Sequence, residues 1–198
     1  MRRLVQGIGV NDNKNLTLKD GKLTEEYKLW SNMLFRCTKK FWIKHPTYIG
    51  VTCSENFKSY AFFYEWCQGQ IGFGNTGVGS RRWNLDKDLL VKGNKLYSEA
   101  VCVFVPQRVN LLLTKRDASR GEWPIGVHVD EQGKFRSQCS KGKGKKKNLG
   151  GFDTAQEAFE AYKTFKESLI KEVANEYKCL LDSRVYAALM VYKVNAND

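Results

Sequence analysis

Two short runs of this sequence hold residues able to do chemistry. The first is Asp86-Lys87-Asp88, in which two carboxylates flank an amine. Alternation along a strand puts the hard oxygens of Asp86 and Asp88 on one face. An exposed, charged strand end is the plainer reading of the same residues. The second run is 134–140. Here Lys134, Arg136, Gln138 and Ser140 share one strand face, while Phe135, Ser137 and Cys139 share the other. Arg and Gln suit bidentate contacts with guanine and adenine edges, and a small sheet fits the major groove. The neighbouring Lys141, Lys143, Lys145, Lys146 and Lys147 suit phosphate contacts. A solvated outer strand and a solubilising lysine loop remain open as alternatives.

The charge balance favours a polyanion. Lys and Arg number 33 against 21 Asp and Glu, a net +12, which draws the chain to DNA or RNA by counterion release. No long amphipathic helix with a Lys-rich face is legible, so a membrane surface is the weaker partner. No apolar stretch reaches 18 residues and the basic start has no signal-peptide pattern, which leads us to expect a cytoplasmic protein. Six scattered cysteines without a CxxC pair fit reduced thiols. With His45 and His128 as the two histidines, a Cys–His zinc cluster is not expected.

The elements that must position these residues fall into three blocks. Residues 1–22 are polar and Gly/Asn-rich, and we expect a flexible arm. Residues 23–72 are rich in aromatics. The spacing of Thr24, Tyr27, Trp30 and Leu34, with Met33 nearby, predicts one helix. A second is expected over 54–68, with Phe57, Ala61, Tyr64 and Trp66 inward. The Gly-rich run 72–80 reads as a link. A strand, loop, strand, helix unit follows over 83–113, with a turn at Gly93-Asn94 and a helix opened by Pro106. Beyond it, strands are expected over 124–130, 134–139 and 148–152, with Gln132-Gly133 as the first turn and a Gly/Lys loop over 141–147. Thr154 and Glu157 form a capping-box signature ahead of the stripe Ala158, Tyr162, Phe165, Leu169 and Val173. The fold class expected is α+β: an aromatic-rich helical N-terminal part, a small core, then a three-stranded antiparallel sheet packed on a C-terminal helix.

The last block resembles the APETALA2/ethylene-response-factor DNA-binding domain. Gly126-Val127, Gly133-Lys134-Phe135, Leu149-Gly150, Phe152-Asp153-Thr154, Glu157-Ala158 and Ala161-Tyr162 carry the likeness, over about 50 residues. The resemblance implies a sheet in the major groove. It puts His128 on the first strand, Lys134, Arg136 and Gln138 on the second, and Lys146 and Asn148 before the third. The first-strand arginines of plant members are replaced by His128 and Asp130.

Residues 83–113 in turn resemble the ββα-metal core of HNH-type endonucleases from phage and mobile DNA. Trp83, Leu85, Asp86, Lys87, Asp88, Tyr97, Ser98, Glu99, Cys102, Phe104, Val105 and Asn110 match. This resemblance implies Asp86 and Asn110 as ligands of Mg²⁺ or another divalent ion, and Lys87 and Asp88 as catalytic residues. Lys87 stands where the family has its histidine base, and Val101 aligns near the family's central Asn. Lys87 is thus either a base of lowered pKa or a phosphate clamp. Together the resemblances divide the chain into an arm (1–22), a nuclease-like region (23–118) and a DNA-binding module with a helical extension (119–198). They imply a Mg²⁺-dependent DNA endonuclease aimed by its C-terminal module. A degenerate nuclease scaffold serving as a DNA-binding regulator or anti-host protein is the alternative. Double-stranded DNA is the expected partner, no membrane is, and a homodimer is a candidate assembly.

Overall fold

The computed structural model describes residues 3–75, 82–114, 122–142 and 144–196. The far part of the expected link, the expected boundary at 118–119 and the candidate Lys143 lie outside them. Mixed helix and sheet make up the chain, which divides into two compact units, Met1–Val105 and Pro106–Asp198. That division falls inside the 83–113 run, before its helix.

The first unit opens with a hairpin, β1 (Leu18–Lys19) and β2 (Lys22–Leu23). Composition alone predicts a loose arm here, yet the segment is tied down by side chains. Asp12 accepts hydrogen bonds from Ser59 Oγ (2.6 Å) and Ala61 N (2.8 Å), and Tyr60 Oη donates to Leu16 O at 2.7 Å. Gly9 lies so close to Leu34 and Trp30 that a Cβ there would stand 2.5 and 2.6 Å from them.

Helix α1 (Glu25–Arg36) starts where Thr24 caps Tyr27 N, and it buries Trp30, Met33 and Leu34, as its spacing predicts. The short α2 (Lys39–Lys44) and strand β3 (Thr52–Cys53) follow. Helix α3 (Tyr60–Gln68) is shorter than expected, because a separate turn of 3₁₀ helix, Asn56–Lys58, holds Phe57, and Ser59 caps a new start. The inward residues shift accordingly to Tyr60, Phe63 and Cys67, while Ala61, Tyr64 and Trp66 are half-buried. Trp30 Nε1 donates to Phe57 O at 2.8 Å, which ties α1 to this corner. Strand β4 (Asn84–Asp86) pairs antiparallel with β6 (Val103–Val105), whereas β5 (Leu96–Tyr97) pairs in parallel with β3. All three residues of β6 are buried, which explains the unbroken apolar run there.

The second unit begins with α4 (Gln107–Leu113), opened by Pro106. Strands β7 (Val127–Val129), β8 (Phe135–Gly142) and β9 (Lys145–Phe152) form a three-stranded antiparallel sheet in the order β7-β8-β9. Most of the expected lysine loop is strand: β8 runs on to Gly142 and β9 starts at Lys145. Helix α5 (Ala155–Glu176) carries the full capping box of Thr154 and Glu157 and packs against all three strands. Its buried stripe includes Ala158, Tyr162, Leu169 and Val173, with Phe159 and Ile170 added and Phe165 only half-buried. Helix α6 (Ser183–Met190) packs on α5. Among the described residues no helix is long and apolar enough to cross a membrane.

Candidate nucleic-acid interface and the Asp86 corner

The two faces of β8 divide as alternation predicts. Ser137 and Cys139 are fully buried beneath α5, and Arg136, Gln138 and Ser140 point the other way. Register extends that outer face across the sheet. His128 pairs with Arg136, Gln138 with Asn148 and Ser140 with Lys146. An irregularity between Ser137 and Gln138 is matched by Gly150 and Asn148 on β9, so Leu149 is the extra residue there. Asn148 Oδ1 accepts from Gly150 N at 2.9 Å, which holds this bend. The outer face thus carries an imidazole, a guanidinium, two amides, a hydroxyl and an ammonium.

Three of the lysines differ from the expected arrangement. Lys134 precedes β8, and its Nζ lies 3.6 Å from Asp153. Lys141 falls on the helix side of β8, where its ammonium sits over the Phe165 ring at 5.7 Å. Lys147 pairs with Cys139, on the helix side of the edge strand, and is exposed. Lys145 and Lys146 are exposed at the tip and suit phosphates.

Arg136 is the best-defined member of the face. Its Nε donates to Asp130 Oδ2 at 2.7 Å, while Asp130 Oδ1 accepts from Gln132 N (3.0 Å) and Lys134 N (2.9 Å). Arg136 and these amides hold the Asp130 carboxyl below the usual carboxylate range. Sequence reasoning missed Asp130 as a partner of Arg136. The signal was present in the Asp-x-x-Gly turn, because an Asp at its head commonly caps the amides two and four residues on.

In the first unit, β4 ends at Asp86, so Lys87 and Asp88 lie beyond the strand on which a shared face was expected. The chain turns there because Asp86 Oδ1 accepts from Asp88 N (2.9 Å) and Leu89 N (2.8 Å). Asp88 is consequently turned out and exposed. Lys87 is the reverse, at 7% exposure. Its Nζ donates to Asn94 O (2.8 Å) and Asp88 Oδ2 (3.2 Å), with the rings of Tyr48 and Tyr97 at 5.7 and 5.9 Å. Asn94, not predicted, braces this pocket by donating to the carbonyls of Lys87 and Leu96, both at 2.7 Å. Arg36 Nη1 donates to Tyr97 Oη at 3.3 Å. Burial, with the nearby Asp88 charge, pushes the Asp86 carboxyl up to about 6 against the pull of the two amides.

As a cation site this corner is thin. Among the described residues Asp86 Oδ2 takes no hydrogen bond, and Asp88 is engaged by Lys87. Asn110, half-buried on α4, belongs to the other unit. Among the described residues no three His, Cys, Asp or Glu gather to hold a metal ion. One carboxylate oxygen beside an ammonium does not by itself fit Mg²⁺, which takes six oxygens and releases its water reluctantly. Comparison of the chain with protein-family models, with curated proteins and with solved structures returned no match.

Proposed function

We propose that this chain is a duplex-DNA-binding protein that lays the outer face of its three-stranded sheet in the major groove. The observation that carries the reading is the division of labour across β8. Its inner face is sealed by α5, and its outer face presents Arg136, Gln138, Asn148 and Lys146 in register. Arg and the two amides can read base edges, while the tip lysines hold phosphates and fix the register of docking. The net charge of +12 supplies long-range attraction. The test is titration of fluorescent duplexes with the full chain at several salt concentrations. Binding that tightens steeply at low salt supports the reading, and absence of binding at low salt removes it.

A Mg²⁺-dependent DNA endonuclease is the second reading. In its favour stands the free Oδ2 of Asp86, in a place where burial disfavours an uncompensated charge. Asp86 is the residue of this corner that could give an oxygen to a divalent ion, although one such oxygen does not make a Mg²⁺ site. The commitment of Lys87 to Asn94 and Asp88 argues against its serving as a free base. Without cleavage, the chain is a DNA-binding regulator or anti-host protein on a nuclease-like scaffold. Incubation of supercoiled DNA with the chain, in Mg²⁺ or chelator, separates the two.

A further inference from the structure

We infer that Asp130 and Gly151 are positioning residues which preset Arg136 to select guanine over adenine at one base pair. This inference rests on the DNA-binding reading. An arginine side chain has many rotamers, and freezing one on docking costs affinity unless the protein has already fixed it. Here two features of the sheet fix it. Asp130 holds the Nε edge at 2.7 Å, and is itself immobilised by the amides of Gln132 and Lys134. Across the ladder, Arg136 pairs with Gly151, and a Cβ on that glycine would stand 2.8 Å from Nη1 and 3.2 Å from Cζ. The guanidinium therefore lies across β9 in space that only a glycine leaves open.

With Nε spent on Asp130, the edge that remains is the pair of terminal amino groups, and neither has a protein hydrogen bond among the described residues. That edge is two donors and no acceptor. In the major groove guanine presents two acceptors, O6 and N7, whereas adenine presents one acceptor and a donor amine. A fixed two-donor fork matches the first and meets a donor in the second. Asp130 also offsets the charge of Arg136, so the residue adds little to indiscriminate attraction for phosphates. Arg136 is thereby a reader of sequence more than a source of affinity.

Two substitutions separate positioning from mere structure. D130N keeps an oxygen for the amides of Gln132 and Lys134 but turns the clamp on Nε from ionic to neutral and lets an amine face it. G151A changes no charge, and its Cβ meets only the far end of a flexible side chain, so the sheet should fold while the guanidinium is displaced. The experiment begins by selecting preferred sites for the full chain from duplexes with a randomised core. R136A then identifies which guanine loses preference, and Kd values are measured with G·C and A·T at that position. Wild type should discriminate about 5- to 150-fold there, the range for one bidentate pair. D130N and G151A, shown to be folded by circular dichroism, should both bring that ratio close to one. On random duplex D130N should bind more tightly, having lost a negative charge, and G151A should match wild type. Folded D130N and G151A that keep full discrimination overturn the inference while DNA binding stands. An R136A chain with every preference intact overturns it as well. If the wild-type chain binds no duplex, the DNA-binding reading falls and takes this inference with it.

Discussion

Gly126 and Tyr162 meet so closely that a Cβ on the glycine would stand 2.0 Å from Cδ2 of the ring. The glycine also has φ +80°, in the left-handed region, and its carbonyl accepts from Gln138 N at 2.9 Å. A single residue thus joins the start of β7, the irregular point of β8 and the buried face of α5. The outer face of the sheet depends on this junction, because the side chains that point outward do so only while the helix seals the other side.

Gly126→Ala should therefore destabilise the second unit by about 2–4 kcal/mol, combining left-handed strain with overpacking against a buried ring. Thermal and urea unfolding followed by circular dichroism measure it. Stability equal to wild type would mean that the sheet and α5 do not depend on this contact.

Phosphate contacts should be separable from base reading. Lys146 is exposed beside Ser140 on the outer face, while the Lys141 ammonium rests over Phe165. Lys146→Ala should weaken binding to all duplexes alike and lower the slope of log K against log salt by about 1. Lys141→Ala should leave that slope nearly unchanged. Equal losses in the two variants would place the phosphate path on the helix side of the tip.

Stability should depend on pH through Asp86. Its carboxyl is raised to about 6, chiefly by burial and then by Asp88, so folding favours the protonated form. The stability contributed is fully present below the unfolded value near 4 and is lost as pH rises through 6, an upper bound of about 3 kcal/mol. Asp130 has the opposite sign: its lowered carboxyl contributes stability above pH 4 that disappears on further acidification. In chelator-treated protein, Asp86→Asn should flatten the fall between pH 4 and 6, because the amide keeps an oxygen for the Asp88 and Leu89 amides. An unchanged slope in that variant would assign the pH dependence elsewhere.

Local pattern made much of this architecture legible. Thr154 and Glu157 announced a helix start, and strict alternation sorted β8 into its two faces. Several features were not legible because they depend on where one side chain lands. Ser59 restarts a helix that apolar spacing alone would begin at Ser54, and its hydroxyl is drawn there partly by Asp12, 47 residues away. Lysines 141–147 look like a loop by composition, yet cross-strand pairing overrides it and sends Lys141 to the helix side. At the Asp86 corner the sequence identified the charged residues but not their engagement. An Asp that caps its own turn and a Lys that bonds a carbonyl seven residues on are decided by backbone course, which residue types do not encode.

Lys87 supplies the last prediction, because its surroundings make opposite demands under the two functional readings. Its Nζ is bound by Asn94 O and Asp88 and flanked by Tyr48 and Tyr97, so the ammonium is part of the fold. Lys87→Met should cost about 1–3 kcal/mol, since the half-buried Asn94 carbonyl is left without its donor. If the chain nicks supercoiled DNA in Mg²⁺, Asp86→Ala should stop nicking and leave duplex binding in place, the gripping residues being in the other unit. A lysine base would make the loss of nicking in Lys87→Met far exceed its loss of stability. The engagement of Nζ predicts instead a loss in Lys87→Met that follows its loss of stability. Supercoiled DNA left intact in both Mg²⁺ and Mn²⁺ removes the endonuclease reading, and the proposal of DNA binding through β8 does not depend on it.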